Sequence, residues 1–195
     1  PAFQAAVHRL ARCRSVWVAG FQTERGHAAE LVHNLQYLRA GVHLADVAGG
    51  HFAEVLLSDP SDTTLVLIDG RRYSRLTRDL ALAARDEGIP VTLITDPYCD
   101  WGPGLVTELF AVPTDLNHFW DTTSAMSSLI GLMVASKALM RSTDLRRDLT
   151  VRSLDDPNRF LASAPNMEQP TATRDVQPTA ASDRIRIACR LSERN

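Results

Sequence analysis

Lysine and cysteine are scarce in this sequence. Lys137 is the only lysine among 21 basic residues, so nearly all positive charge comes from arginine, and the net charge of −2 gives no overall attraction to nucleic acid. The three cysteines are odd in number and far apart, which excludes a disulfide framework and favours a reducing cytoplasm. No spacing of histidines and cysteines typical of a metal site occurs, so we expect no metal and no cofactor.

Long hydrophobic runs are also missing. The most apolar stretch, residues 122–140, carries one charge and is interrupted by four serines, which favours a buried helix over a membrane span. The first residues do not have the pattern of a signal peptide. We therefore expect a cytoplasmic protein with no membrane partner.

The chain does contain a regular alternation of strand and helix patterns. Apolar runs predict strands at residues 15–20, 42–46, 64–69, 90–95 and 108–113. Helical periodicity predicts helices at residues 3–13, 51–57 and 121–140 and after the first and third strands, with Thr23 as an N-cap. This alternation predicts a three-layer α/β fold, a five-stranded parallel sheet of order 2-1-3-4-5 flanked by helices. In that order, the loops after the first and third strands face each other across a crevice.

The composition changes towards the C-terminus. Residues 164–182 are rich in proline, threonine and alanine and have few large apolar side chains, which is typical of a disordered segment. We expect one folded domain over residues 1–142, a C-terminal extension over 143–163, and a disordered tail over 164–195.

The loop after the third predicted strand carries the strongest functional signal. Asp69 and Gly70 end the strand, Arg71 and Arg72 follow, and Ser74 can cap the next helix. Two guanidinium groups beside a helix N-terminus can hold a phosphate or a carboxylate through paired hydrogen bonds. We therefore interpret this loop as an anion-binding site in preference to a solvated surface with two arginines.

Two other readings of the strand ends fail. A dinucleotide-binding loop needs glycines where Gln22 and Arg25 stand, so Asp46 at the next strand end is a solvated residue and not a ribose ligand. Asp69 and Thr95 end neighbouring strands as in phospho-receiver domains, but the acidic cluster and the lysine that such domains need are missing.

Polar residues near the last helix and in two loops are weaker candidates. His118 precedes that helix and Ser124 falls on its first turn, so both can reach a ligand. His51 starts the third predicted helix, where it can contact a ligand or cap the helix. Tyr98 and Trp101 are predicted to pack within their loop.

Residues 3–142 resemble the sugar isomerase (SIS) domain at the C-terminus of RpiR/MurR-type bacterial transcriptional regulators. The matching segments, in order, are GFQTERGHAAEL, LADVAGGHFAEVL, DGRRYSRLT followed by LALAARDEGIPVTLITD, and NHFWDTTSAMSSLIGLM. The resemblance implies an effector-sensing, dimerising domain without enzyme activity. It also implies DNA binding only through a helix-turn-helix domain, which we expect this chain to lack.

The chain departs from the family in its ligand loops. Most SIS domains bind a phosphosugar through a serine-rich loop, whereas Asp69, Arg71 and Arg72 stand here at the places of its serines and glycine, and Ser74 keeps the final hydroxyl. We therefore expect a homodimer or tetramer that binds a small anionic metabolite such as a sugar phosphate. The expected ligand-binding residues are Gln22, Thr23, Glu24, Asp69, Arg71, Arg72, Ser74, His118 and Ser124.

Two alternatives remain open. One is a sugar-phosphate isomerase of the same fold, with Glu24, His118 or His51 as its general base. The other is a degenerate SIS domain that serves only for oligomerisation.

Overall fold

The computed structural model describes residues 1–46, 52–115 and 121–136. The strands are β1 (Ser15–Gly20), β2 (Val42–Leu44), β3 (Thr63–Ile68), β4 (Val91–Thr95) and β5 (Glu108–Ala111). The α-helices are α1 (Ala2–Arg12), α2 (Arg25–Leu38), α3 (Phe52–Leu57), α4 (Arg75–Asp86) and α5 (Ser124–Val134). Single turns of 3₁₀ helix at Gln22–Glu24 and Pro60–Asp62 precede α2 and β3.

The described strands form one parallel sheet in the order β2-β1-β3-β4-β5, which confirms the predicted order 2-1-3-4-5. Val18 of β1 pairs with Val66 of β3, and Leu67 of β3 pairs with Leu93 of β4. Every residue of β3 and β4 is buried, as expected for central parallel strands that helices cover on both faces.

Two hydrophobic cores lie on opposite faces of the sheet because successive residues of a strand point to opposite sides. In β3, Leu65 and Leu67 belong to the core under α3 and α4, whereas Val66 and Ile68 belong to the core under α1, α2 and α5. The side chains of α5 in the second core are Met126, Ile130 and Met133, all fully buried. This arrangement gives the expected three layers.

The predicted N-cap at Thr23 is wrong. A turn of 3₁₀ helix comes first, in which the Glu24 amide donates to the Phe21 carbonyl at 3.1 Å. The helix α2 then begins at Arg25, and the Thr23 hydroxyl donates to the Glu24 carboxylate at 2.9 Å instead of capping the helix. In contrast, Ser74 is the N-cap of α4 as predicted, because its hydroxyl accepts from the Leu76 amide at 3.2 Å.

Other boundaries differ by a few residues. The strand β2 ends at Leu44 and β5 at Ala111, each two residues earlier than predicted, and α5 begins at Ser124 instead of residue 121. The late start of α5 has a local cause, since the Thr122 amide donates to the Thr114 carbonyl at 2.8 Å and the segment is held there before the helix begins.

Several sequence-based predictions fall outside the described residues. These are the end of the last helix beyond residue 136, the extension 143–163, the tail 164–195, and the residues His51 and His118. Among the residues that are described, no helix combines the length and the apolar character needed to cross a membrane.

Candidate ligand-binding crevice

A crevice of about 300 Å³ opens at the carboxyl edge of the sheet, between the loops that follow β1 and β3. This is the switch point of the strand order, where ligands bind in doubly wound domains. Residues from the loop after β1, the loop after β3, the segment between β5 and α5, and α5 itself line it: Gln22, Thr23, Glu24, Gly70, Arg71, Arg72, Thr114, Asp121, Thr123 and Met126.

The backbone is strained on both walls of the crevice. Gln22 has a φ of 52° and Arg72 a φ of 75°, and they are the only residues other than glycine with positive φ in the described part of the chain. Such a conformation costs about 1–3 kcal/mol and persists only where the surrounding structure enforces it. The surrounding structure therefore holds both crevice loops in a defined conformation that is unfavourable at Gln22 and Arg72.

Two contacts orient the Arg71 side chain. Its Nη1 lies 3.2 Å from Asp121 Oδ1, and its guanidinium group lies over the Tyr98 ring at 4.5 Å from the ring centroid. Tyr98 was predicted to pack within its loop, but its side chain is exposed and supports Arg71. The Arg71 guanidinium group thus already contacts one anionic oxygen within the crevice, that of Asp121.

Glu24 places a buried carboxylate in the crevice. Only 7% of the residue is exposed, and the Thr23 hydroxyl donates to its Oε2. The Gly70 backbone approaches this carboxylate closely, since a Cβ atom at position 70 would lie 3.1 Å from Glu24 Oε1 and 3.5 Å from Met126 Cε. An alanine at position 70 would require the Glu24 carboxylate to move by a few tenths of an ångström.

Asp69 lies behind the loop and does not line the crevice. Its carboxylate accepts from the Ser74 amide at 3.1 Å, which holds the start of α4. Burial raises the pKa of Asp69 to about 6, and the nearby Glu24 carboxylate also raises it, whereas the hydrogen bond from the Ser74 amide lowers it. The Glu24 carboxylate, which lines the crevice, is therefore near enough to Asp69 to raise the pKa of Asp69.

The structure brings together five of the nine residues expected to bind a ligand: Gln22, Thr23, Glu24, Arg71 and Arg72. Asp69 and Ser74 instead form a hydrogen bond with each other, in which the Ser74 amide donates to the Asp69 carboxylate. Ser124 also does not line the crevice, and its hydroxyl shares a hydrogen bond of 2.9 Å with the Thr122 hydroxyl. The first turn of α4 is thus partly occupied by the protein's own side chains.

The sequence did not single out Gly70, Thr114, Asp121, Thr123 or Met126 as crevice residues. Four of them come from the segment between β5 and α5 or from α5 itself. The one feature of the sequence that could have indicated them is the position of Asp121 and Thr123 near the start of a helix, where polar residues often contact ligands.

The strand order and the crevice at its switch point define a doubly wound α/β domain. Within this class, the chain has the SIS fold. It is similar to the sugar isomerase domain of an RpiR transcription factor from Sphaerobacter thermophilus, with a TM-score of 0.69 and 20% identity over 79% of this chain and 85% of that one.

Two further solved structures share the fold. One is the Vibrio vulnificus NanR protein complexed with ManNAc-6P, with a TM-score of 0.61 and 13% identity over 77% of this chain and 60% of that chain. The present chain thus spans less than two thirds of NanR. The other is a Bacteroides fragilis protein put forward as a phosphosugar isomerase involved in capsule formation, with a TM-score of 0.55 and 13% identity over 75% of this chain and 80% of that one. No protein-family model and no curated protein matches the sequence.

Proposed function

We propose that this domain senses a small anionic metabolite, such as a sugar phosphate, on behalf of a transcriptional regulator. The single observation that carries the proposal is the position of Arg71 and Arg72 on one wall of the switch-point crevice, opposite Gln22 and Thr23. An anion between these walls meets two guanidinium groups, which suit phosphate oxygens better than lysine ammonium groups do.

The Arg71–Asp121 pair supports an anion at this place. The carboxylate oxygen of Asp121 lies at 3.2 Å from Arg71 although both side chains remain about 40% exposed, with 42% for Arg71 and 39% for Asp121. A pair with that exposure contributes about 0–1 kcal/mol, so an incoming phosphate can displace it at low cost. Asp121 thus acts as a stand-in for the anionic group of the ligand.

The similar structures support the choice of ligand class and of role. One is the sugar isomerase domain of a transcription factor, and another is a protein complexed with a sugar phosphate. For the present chain we infer the same class of ligand, with DNA contacted only through a helix-turn-helix domain outside this chain. A cytoplasmic location fits this role.

Titration with ManNAc-6P and with inorganic phosphate, followed by NMR, tests the proposal. Charge-assisted hydrogen bonds are worth about 1.5–3 kcal/mol each, so Arg71→Ala or Arg72→Ala should weaken binding about tenfold to a hundredfold. Lysine at either position should restore binding only in part, because an ammonium group cannot donate the two parallel hydrogen bonds that a planar guanidinium group donates. The matched control is Arg75→Ala, since Arg75 is exposed at the first residue of α4 but does not line the crevice.

The unfolding midpoint should hardly change in these variants, because both arginines are exposed. Absence of binding by the unchanged protein, or equal effects of all three alanine variants, would reject the anion site. The domain would then serve only for oligomerisation.

A sugar-phosphate isomerase is the second candidate, and the Glu24–Asp69 pair favours it. Isomerisation of an aldose to a ketose needs a positioned base, and Glu24 is a buried carboxylate that lines the crevice beside a second carboxyl group. Incubation with fructose 6-phosphate in D2O discriminates the two functions. Deuterium uptake next to the carbonyl carbon, lost in Glu24→Gln, indicates an isomerase, and no uptake indicates a sensor.

We also infer that two copies of the chain pair through α5, as a homodimer or within a tetramer. Met126, Ile130 and Met133 of this helix are buried within the domain, whereas Leu132 is 60% exposed on its outer side. Burying that exposed side chain against a second copy would cover the remaining apolar surface of the helix.

A further inference from the structure

Asp96 is a buried carboxylate that lies outside the crevice. It follows β4 directly, is 1% exposed and is not among the residues that line the crevice. One of its oxygens, Oδ1, accepts two hydrogen bonds, from the Tyr73 hydroxyl and from the Tyr98 amide, the latter at 2.8 Å. The other oxygen, Oδ2, is buried and has no partner among the described residues. An acceptor buried without a donor lowers stability, so packing alone does not explain this side chain, and its role lies in what Oδ1 holds.

The hydrogen bond from Tyr73 restrains the loop that carries both arginines. Arg72 immediately precedes Tyr73 and has a φ of 75°, a conformation that persists only where neighbouring contacts enforce it. The Tyr73 hydroxyl on Asp96 holds the next residue, and the Ser74 amide on Asp69 holds the one after it. Burial raises the pKa of Tyr73 above its usual value and the hydrogen bond to Asp96 raises it further, so the hydroxyl keeps its proton and remains a donor.

The hydrogen bond from the Tyr98 amide places an aromatic ring against Arg71. Tyr98 lies two residues after Asp96, so this bond closes a tight turn at the end of β4. The Tyr98 side chain is 57% exposed, and the Arg71 guanidinium group lies over its ring at 4.5 Å from the centroid. Because more than half of the side chain is exposed, the position of the ring depends largely on the turn that Asp96 closes.

We propose that Asp96 is a positioning residue for the anion site. Through the Tyr98 amide it sets the ring that carries Arg71. Through the Tyr73 hydroxyl it holds the strained loop at Arg72. One oxygen atom thus ties the loop after β3 to the loop after β4, and side chains that are already held lose less conformational freedom when an anion binds. This inference rests on the anion site proposed above, and it adds a residue outside the crevice on which the affinity of that site depends.

The NMR signal of the Arg71 Nε–Hε group reports this positioning without any ligand. A proton held over an aromatic ring is shifted upfield by the ring current, so Tyr98→Leu should move the signal downfield and identify it. Asp96→Ala should remove most of the same upfield shift, and Tyr73→Phe, which lacks only the hydroxyl, should remove part of it. Asp96→Asn keeps an acceptor oxygen and should therefore restore much of the shift that Asp96→Ala loses.

Titration of the full chain with inorganic phosphate measures the consequence for binding. Asp96→Ala and Tyr73→Phe should each weaken binding about threefold to tenfold, as expected when one ordinary hydrogen bond is lost. Because the role of Asp96 is exerted partly through Arg71, the loss caused by Asp96→Ala should be clearly smaller in the Arg71→Ala protein. The matched control for Tyr73→Phe is Tyr37→Phe, at an exposed tyrosine of α2 that does not line the crevice, and it should change neither measurement.

The outcomes separate this inference from the proposed function. An Arg71 signal that stays in place in both Tyr73→Phe and Asp96→Ala overturns the positioning role, whether or not phosphate binds. An Asp96→Ala loss of affinity that is equal with and without the Arg71 side chain also overturns it, since such a loss indicates a general structural effect. If Asp96→Ala does not fold, Tyr73→Phe decides by the same two criteria. Absence of phosphate binding by the unchanged protein rejects the anion site, and the Arg71 signal then decides on the positioning alone.

Discussion

Replacing Asp69 by asparagine should remove a pH-dependent loss of stability from this fold. Asp69 is 2% exposed, and burial raises its pKa from the ordinary value of 3.8 to about 6. The folded protein therefore holds this proton more tightly than the unfolded chain does. Asparagine keeps an oxygen that can accept from the Ser74 amide, but it never ionises.

The sign follows from proton linkage. Between pH 3.8 and about 6, the folded state binds more protons at Asp69 than the unfolded state, so the free energy of unfolding falls as pH rises. A difference of this size corresponds to about 3 kcal/mol once pH exceeds both values, and about 2 kcal/mol of it develops between pH 4.5 and 7.5. Below pH 3.8 the effect vanishes because both states are protonated.

Urea unfolding of the two proteins at several pH values measures this contribution directly, since all other titrating groups are shared. The Asp69→Asn protein should gain about 2 kcal/mol relative to the unchanged protein between pH 4.5 and 7.5. A stability difference independent of pH would refute the reasoning. A difference of opposite slope would mean that the hydrogen bond from the Ser74 amide outweighs the burial of the carboxyl group.

Two further predictions concern the start of α4 and the outer side of α5. Ser74→Ala should lower the free energy of unfolding by about 1 kcal/mol, whereas Ser74→Gly should cost only a few tenths, because glycine is tolerated at an N-cap; equal losses in urea unfolding would contradict the capping role. Leu132→Glu should convert a dimer into a monomer in sedimentation velocity at micromolar concentration, while Leu57→Glu, at an exposed leucine of α3 on the opposite face of the sheet, should not. A monomeric unchanged protein would reject pairing through α5.

The fold could be predicted because its central strands carry an unambiguous pattern. All six residues of β3 are buried, and four of them, residues 65–68, form a continuous apolar run in the sequence. The alternation with helices and the right-handed crossovers then predict a parallel, doubly wound sheet. Boundaries were less accurate where hydrogen bonds between loops decide them, as at Thr122 before α5.

The crevice could be predicted only on the two walls that the strand order brings together. The loops after β1 and β3 meet because their strands are neighbours, and this places Arg71 opposite Gln22. Thr114 and Asp121 escaped detection because they lie in an irregular segment whose path over the sheet has no sequence period. Ser74 and Asp69 lie outside the crevice lining, because the Ser74 amide donates to the Asp69 carboxylate and closes the turn into α4.

The charges in the crevice indicate how sensing can work in the proposed function. Two arginines and the carboxylates of Glu24 and Asp121 line the crevice together, so the crevice is close to neutral and does not attract every anion. A phosphate at Arg71 must compete with Asp121, which lies three residues before α5. Because α5 packs against α2 and exposes Leu132 on its outer side, release of Asp121 changes the contacts at the start of the helix that we expect to join two copies. A ligand with different affinities for the two arrangements of Asp121 then shifts the population between them, which is the requirement for a sensor.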